Sequence, residues 1–171
     1  MKHSLLRAFL FSLLVFLALN FLFFIIGYTV ADLLDLPLSR VADHPTHSIH
    51  LITYPAEYFP WELIDYFTSI SSLGFKILYL GGFISFIIAA IIAGLMGGSI
   101  GNAFVGWLMT SSCYILLLIA MISIDDFNIG FICFPCTLAD GIVEILVTGI
   151  VNALIFGALV FIIALIKGRS D

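Results

Sequence analysis

Charge is what this sequence lacks most. Only 10% of its 171 residues are charged while 63% are hydrophobic, far from the soluble balance of about half apolar and a quarter charged. A soluble globular domain is thereby excluded, because too few polar side chains remain to cover its surface. Basic residues are scarcer still: six Lys and Arg stand against eleven Asp and Glu, a net charge of −5. No basic footprint for nucleic acid can be built from six such residues. Within these residues there is no low-complexity stretch, full-length repeat or second soluble domain. Gly97, Gly98 and Gly101 are not followed by a Walker lysine, so they do not form a phosphate loop. Cysteine is limited to Cys113, Cys133 and Cys136.

What the sequence does have is long uncharged runs. A bilayer core about 30 Å thick calls for roughly 20 consecutive apolar residues in a helix. The first run, Ala8 to Ala31, follows Lys2 and Arg7 and is too long for a secretory h-region, so it reads as an uncleaved signal-anchor helix. The second, Ile77 to Ile124, contains no charge. It would overshoot the hydrocarbon more than twofold as one helix, so it must fold back. The break falls in GLMGGSIGN, residues 94–102, where Gly97 and Gly98 free the backbone and Ser99 or Asn102 can cap the next helix. The third run, Gly141 to Ile166, carries only Glu144. The expectation is an all-α polytopic membrane protein in one domain, with spans at about 8–30, 76–96, 101–123 and 140–166.

Four of the six basic residues, Lys2, Arg7, Lys167 and Arg169, flank the first and last spans. Positive-inside bias then puts both termini in the cytoplasm, in the plasma membrane. Loops 31–75 and 124–139 fall outside, and they are acidic: Asp32, Asp35, Asp43, Glu57, Glu62, Asp65, Asp125 and Asp126 read as solvated loop charge. Before the second span, Tyr54, Tyr58, Phe59, Trp61, Tyr66 and Phe67 read as interfacial aromatics. Pro60 suits a first helical turn, and Trp61, Leu63, Ile64 and Phe67 make one apolar face, which predicts a short interfacial helix.

Three readings apply to Cys133 and Cys136. An outer disulfide would shape the entry to the last helix, although so short a ring contributes little by loop entropy. Thr137 with Asp140 three residues on has the spacing of a capping box, which puts the pair at a helix start. C-x-x-C is also redox spacing, and thiolates are favoured at helix starts, though Asp140 opposes one. A zinc ion or another divalent cation is the third reading, with His44, His47 and His50 of DHPTHSIH as ligands from the other outer loop.

The four-span plan with an outer Cys133–Cys136 pair is loosely similar to the disulfide-generating membrane family of DsbB and vitamin K epoxide reductase. That resemblance covers topology and the cysteine pair alone, and it implies thiol–disulfide exchange at Cys133 and Cys136. The family passes electrons between two cysteine pairs, whereas the remaining Cys113 lies inside the third span.

Asp140, Glu144, Thr148 and Asn152 recur every four residues, a polar stripe descending into the fourth span. Ionisable groups at such positions face a bundle interior or wet cavity, a candidate ion or solute pathway, unless they stay in the headgroup zone. Asn20, Asn102 and Thr110-Ser111-Ser112 are candidate partners from other spans. Ala90, Gly94 and Gly98 place small residues at multiples of four, suited to close packing within the chain or with another copy. The expected role is structural or interactive, with the lipid bilayer and a membrane-protein partner or homo-oligomer as partners. Thiol–disulfide exchange and cation or small-solute transport are the alternatives.

Overall fold

Ser99 marks the fold-back of the long uncharged run. Its side chain accepts the Asn102 N–H at 3.3 Å, which caps the new helix, and Gly98 before it has φ of 65°. That left-handed conformation suits glycine, so Gly98 serves the turn rather than a helix face, unlike Ala90 and Gly94. The computed structural model describes residues 2–125 and 137–168. Its elements are α1 (Lys2–Val30), α2 (Asp35–Asp43), α3 (His47–Thr53), a 3-10 turn (Tyr54–Glu57), α4 (Pro60–Ser69), α5 (Leu73–Met96), α6 (Ile100–Ile124) and α7 (Leu138–Gly168).

The described residues contain no strand, and α1, α5, α6 and α7 are long and apolar enough to cross a bilayer. Each helix runs past the bounds expected from the apolar run alone, because polar end residues such as Lys2 and Arg7 continue the helix. The start of α7 is the capping box anticipated from spacing. Asp140 Oδ2 accepts the Thr137 N–H at 3.0 Å and its hydroxyl at 2.7 Å, and the Asp140 N–H returns to Thr137 Oγ1 at 3.3 Å.

The four long helices pack as a ring in the order α1, α5, α7, α6, and back to α1. Two faces follow from the connectivity: a terminal face with both chain ends, and a loop face with α2 to α4. Leu14, Leu116, Leu154 and Phe161 are exposed on the ring's outside, where lipid rather than water is the compatible solvent. The interior is closed midway by one aromatic ring from each span. Phe86 stacks on Phe156 at 4.7 Å, and Phe16 lies 4.9 Å from Phe86 and 5.2 Å from Tyr114. Ser12 and Thr110 hydroxyls, 2.6 Å apart, tie α1 to α6. Gly94 lets α5 approach α7 closely, since a Cβ there would sit 2.8 Å from Ile163 Cβ.

At the loop face, α4 is the short helix expected from Pro60 onward. Leu63 is buried against the bundle, while Trp61 and Ile64 are exposed. The Phe59 N–H donates to Glu62 Oε2 at 2.8 Å, closing its first turn. The rest of the loop departs from the expected interfacial coat. Residues 47–58 dip into the mouth of the ring, with α3 against α1 and α6 and the 3-10 turn against α5 and α7. Tyr54 and Tyr58, expected as interfacial anchors, turn inward instead. Pro55 breaks α3 and the following 3-10 turn carries Tyr54, Pro55, Ala56 and Glu57 into the bundle, all buried.

Candidate functional site

A segment that ends a seven-residue helix inside a bundle leaves carbonyls unpaired. Pro55 has no N–H, and the short 3-10 turn satisfies only part of the remainder. Two asparagines from opposite corners of the ring supply donors. Asn20 Nδ2 of α1 donates to the Ile52 carbonyl at 3.2 Å, and Asn152 Nδ2 of α7 donates to the Tyr58 carbonyl at 3.1 Å. Asn20 lies ten residues from the loop-face end of α1, so the segment is held about 15 Å down that helix. Irregular backbone at such depth is compatible with a bilayer only when protein encloses it.

This clamp yields a measurable expectation. Asn152→Leu keeps the volume but orphans the Tyr58 carbonyl, a cost of about 1–3 kcal/mol. Part is offset, because Asn152 Oδ1 is itself buried without a hydrogen-bond partner among the described residues. A net loss of about 1 kcal/mol in detergent unfolding is expected, and no loss would show that the bond does not hold the segment.

The clamp positions the main polar group of the loop. His50 Nδ1 and Glu57 Oε1 lie 2.7 Å apart, with side chains only 12% and 1% exposed. Glu57 was expected among the solvated acids of the outer loop. It is instead drawn inside by the 3-10 turn, and its Oε2 is buried without a hydrogen-bond partner among the described residues. His47, 1% exposed, stacks on His50 with centroids 4.9 Å apart. Beside them is a cavity of about 210 Å³ whose walls include Arg40 of α2, His47 and His50 of α3, Tyr28 of α1, Tyr79 of α5 and Tyr58. Burial pushes the Tyr54 and Tyr58 phenols far above the ordinary tyrosine range, and the nearby Glu57 charge pushes Tyr58 further. Both hydroxyls therefore stay neutral at physiological pH; that of Tyr54 donates to the Leu78 carbonyl at 2.7 Å.

The other anticipated residues scatter. His44 turns from His47 and His50 to Asp125 at the end of α6, its Nδ1 2.7 Å from Oδ2. Among the described residues no three His, Cys, Asp or Glu side chains converge as metal ligands. The polar stripe of α7 divides: Asp140 and Glu144 are exposed, and with Phe59 and Thr148 they line a surface groove. Thr148 and Asn152 are buried. Asn20, Asn102 and Thr110 bond elsewhere than to this stripe, Asn102 to Ser4 Oγ at 3.0 Å. Cys133 and Cys136 lie outside the described residues, so the disulfide, redox and cysteine–zinc readings stand where the sequence left them.

Arg40, Glu57 and the tyrosine walls were not singled out from the sequence as a site. The available signal was His50 and Glu57 seven residues apart, flanking a proline in an aromatic-rich loop. No family model, curated protein or solved structure matches the chain.

Proposed function

We propose that this protein is a multi-pass membrane component that works by association, and that the polar chamber at its loop face is its recognition site. The basic residues at both ends place the termini in the cytoplasm under this reading, so the chamber opens on the outer side. The carrying observation is the buried His50–Glu57 pair beside a cavity walled by Arg40, His47 and tyrosines. Concave sites with a few convergent polar groups in an aromatic wall are where small molecules bind.

The closed interior supports association over conduction. The aromatic layer of Phe16, Phe86, Tyr114 and Phe156 fills the ring midway, and residues 47–58 fill its mouth. Glu144 is exposed, and the Asn152 amide donates to the Tyr58 carbonyl. Neither supplies a polar interior path.

Native mass spectrometry of protein extracted in mild detergent tests this reading. Wild type is expected to carry a bound non-protein molecule, and Leu78→Trp, which fills the chamber from α5, is expected to lose it. The same spectrum for both proteins would reject the chamber as a recognition site.

A further inference from the structure

We infer that the chamber recognises an anionic phosphoryl group, the head of an acidic lipid or a soluble phosphate compound; this rests on the chamber being a binding site. Among the described residues the charge-bearing side chains in its wall are all basic: Arg40, His47 and His50. Glu57 does not line the chamber and holds Oε1 2.7 Å from the His50 imidazole. Only Arg40 and Lys76 lie between the two terminal basic clusters, and Arg40 lines the chamber. An Arg guanidinium offers a fork of donors that matches phosphate oxygens.

The chamber's tyrosines add neutral hydroxyls. The Tyr58 hydroxyl is hydrogen-bonded to Tyr79, and the paired phenols line the chamber without bringing charge of their own. A volume of about 210 Å³ exceeds a lone phosphate and leaves room for a short polar or apolar body against Phe24 and Phe75. The chamber lies between the loop-face ends of α1 and α5, the level at which lipid headgroups meet a spanning bundle. An aromatic cage for a quaternary ammonium is the competing chemistry, and the arginine in the wall opposes it.

Glu57 gives the test its sign. The Arg40 guanidinium favours an anion in the chamber, and the Glu57 carboxyl behind its wall opposes one. Glu57→Gln preserves an acceptor for His50 and removes the opposing charge. Anion binding should therefore weaken in Arg40→Gln and strengthen in Glu57→Gln, a pair of opposite effects that general loosening of the fold would not produce.

The experiment is calorimetric titration of the full chain in a neutral detergent. Short-chain phosphatidylglycerol, short-chain phosphatidylcholine and inorganic phosphate are the titrants. Phosphatidylglycerol is expected to bind at least about ten-fold tighter than phosphatidylcholine, with a loss of about ten-fold in Arg40→Gln, partial rescue in Arg40→Lys and a gain of about three-fold in Glu57→Gln. Phosphate binding as tight as the acidic lipid would assign the site to a soluble phosphate compound. Phosphate much weaker than the lipid would assign it to a headgroup.

Unchanged affinity in Arg40→Gln, or no binding of either anion, overturns the inference. If wild type then still carries a molecule that Leu78→Trp loses, the chamber remains a recognition site and only the anion assignment fails. If it carries none, both fall.

Discussion

Replacing His50 by leucine is expected to destabilise the protein by about 3 kcal/mol, the upper end of the cost of leaving a buried polar group without its partner. The Glu57 side chain is 1% exposed, its Oε1 faces His50 Nδ1 at 2.7 Å, and its Oε2 has no hydrogen-bond partner among the described residues. Without His50 the Oε1 atom loses this partner as well, and the cost of burying the carboxyl is no longer offset. Glu57→Leu should be milder, about 1–2 kcal/mol, because the His50 side chain it leaves is 12% exposed against 1% for Glu57. The double variant His50→Leu/Glu57→Leu should recover most of the single-variant loss, since apolar replacements of a buried pair are often neutral or stabilising.

Unfolding in mixed detergent micelles for the four proteins closes this cycle. A His50→Leu protein within about 1 kcal/mol of wild type at neutral pH would mean that water reaches Glu57, and the enclosed pair would not exist.

The spans and the loop were legible to different degrees, for a physical reason. A run such as Ile77 to Ile124 declares its environment residue by residue, and the glycines and Ser99 declare where it folds back. Loop residues declare nothing comparable. Helices as short as α2 and α3, nine and seven residues, have too little intrinsic stability to be read from propensity; α3 is held by α1 and α6, and α2 packs on α3. The burial of Glu57 depends on partners that bind its neighbours from 32 and 94 positions away in the sequence, Asn20 to Ile52 and Asn152 to Tyr58. No window around Glu57 contains that information, so it looked like any other loop acid.

The α7 stripe was legible in spacing but not in outcome. A step of four residues advances about 40° beyond a full turn, so three steps carry Asp140 to Asn152 through about 120° of the helix surface. That rotation takes the stripe from exposed Asp140 and Glu144 into buried Thr148 and Asn152. Spacing alone could not say where along it the neighbouring helix begins. The histidine cluster failed as a unit similarly: Pro45 and the break after α2 send His44 toward α6, while His47 and His50 follow α3 inward.

Gly74→Ala is expected to cost about 3 kcal/mol, the upper part of the range for overpacking, and to enlarge the chamber. A Cβ at Gly74 would stand 2.3 Å from the Gly27 carbonyl oxygen and 2.6 Å from the Ala31 nitrogen. Both are backbone atoms, so no side-chain rotation relieves the overlap, and α1 and α5 must separate at their loop-face ends. Those ends carry Phe24 and Tyr28 on one wall of the chamber and Phe75, Leu78 and Tyr79 on another, so the same displacement should weaken whatever the chamber holds. Gly101→Ala is the matched control. Nothing lies within 4 Å of the added Cβ there, and alanine in place of glycine in a helix is worth about 0.5–1 kcal/mol in favour of folding. The same chemical change should thus lower the unfolding midpoint at position 74 and hold or raise it at position 101. Equal midpoints for the two variants would show that α1 and α5 do not meet backbone to backbone, and that the chamber's walls are not fixed by this crossing.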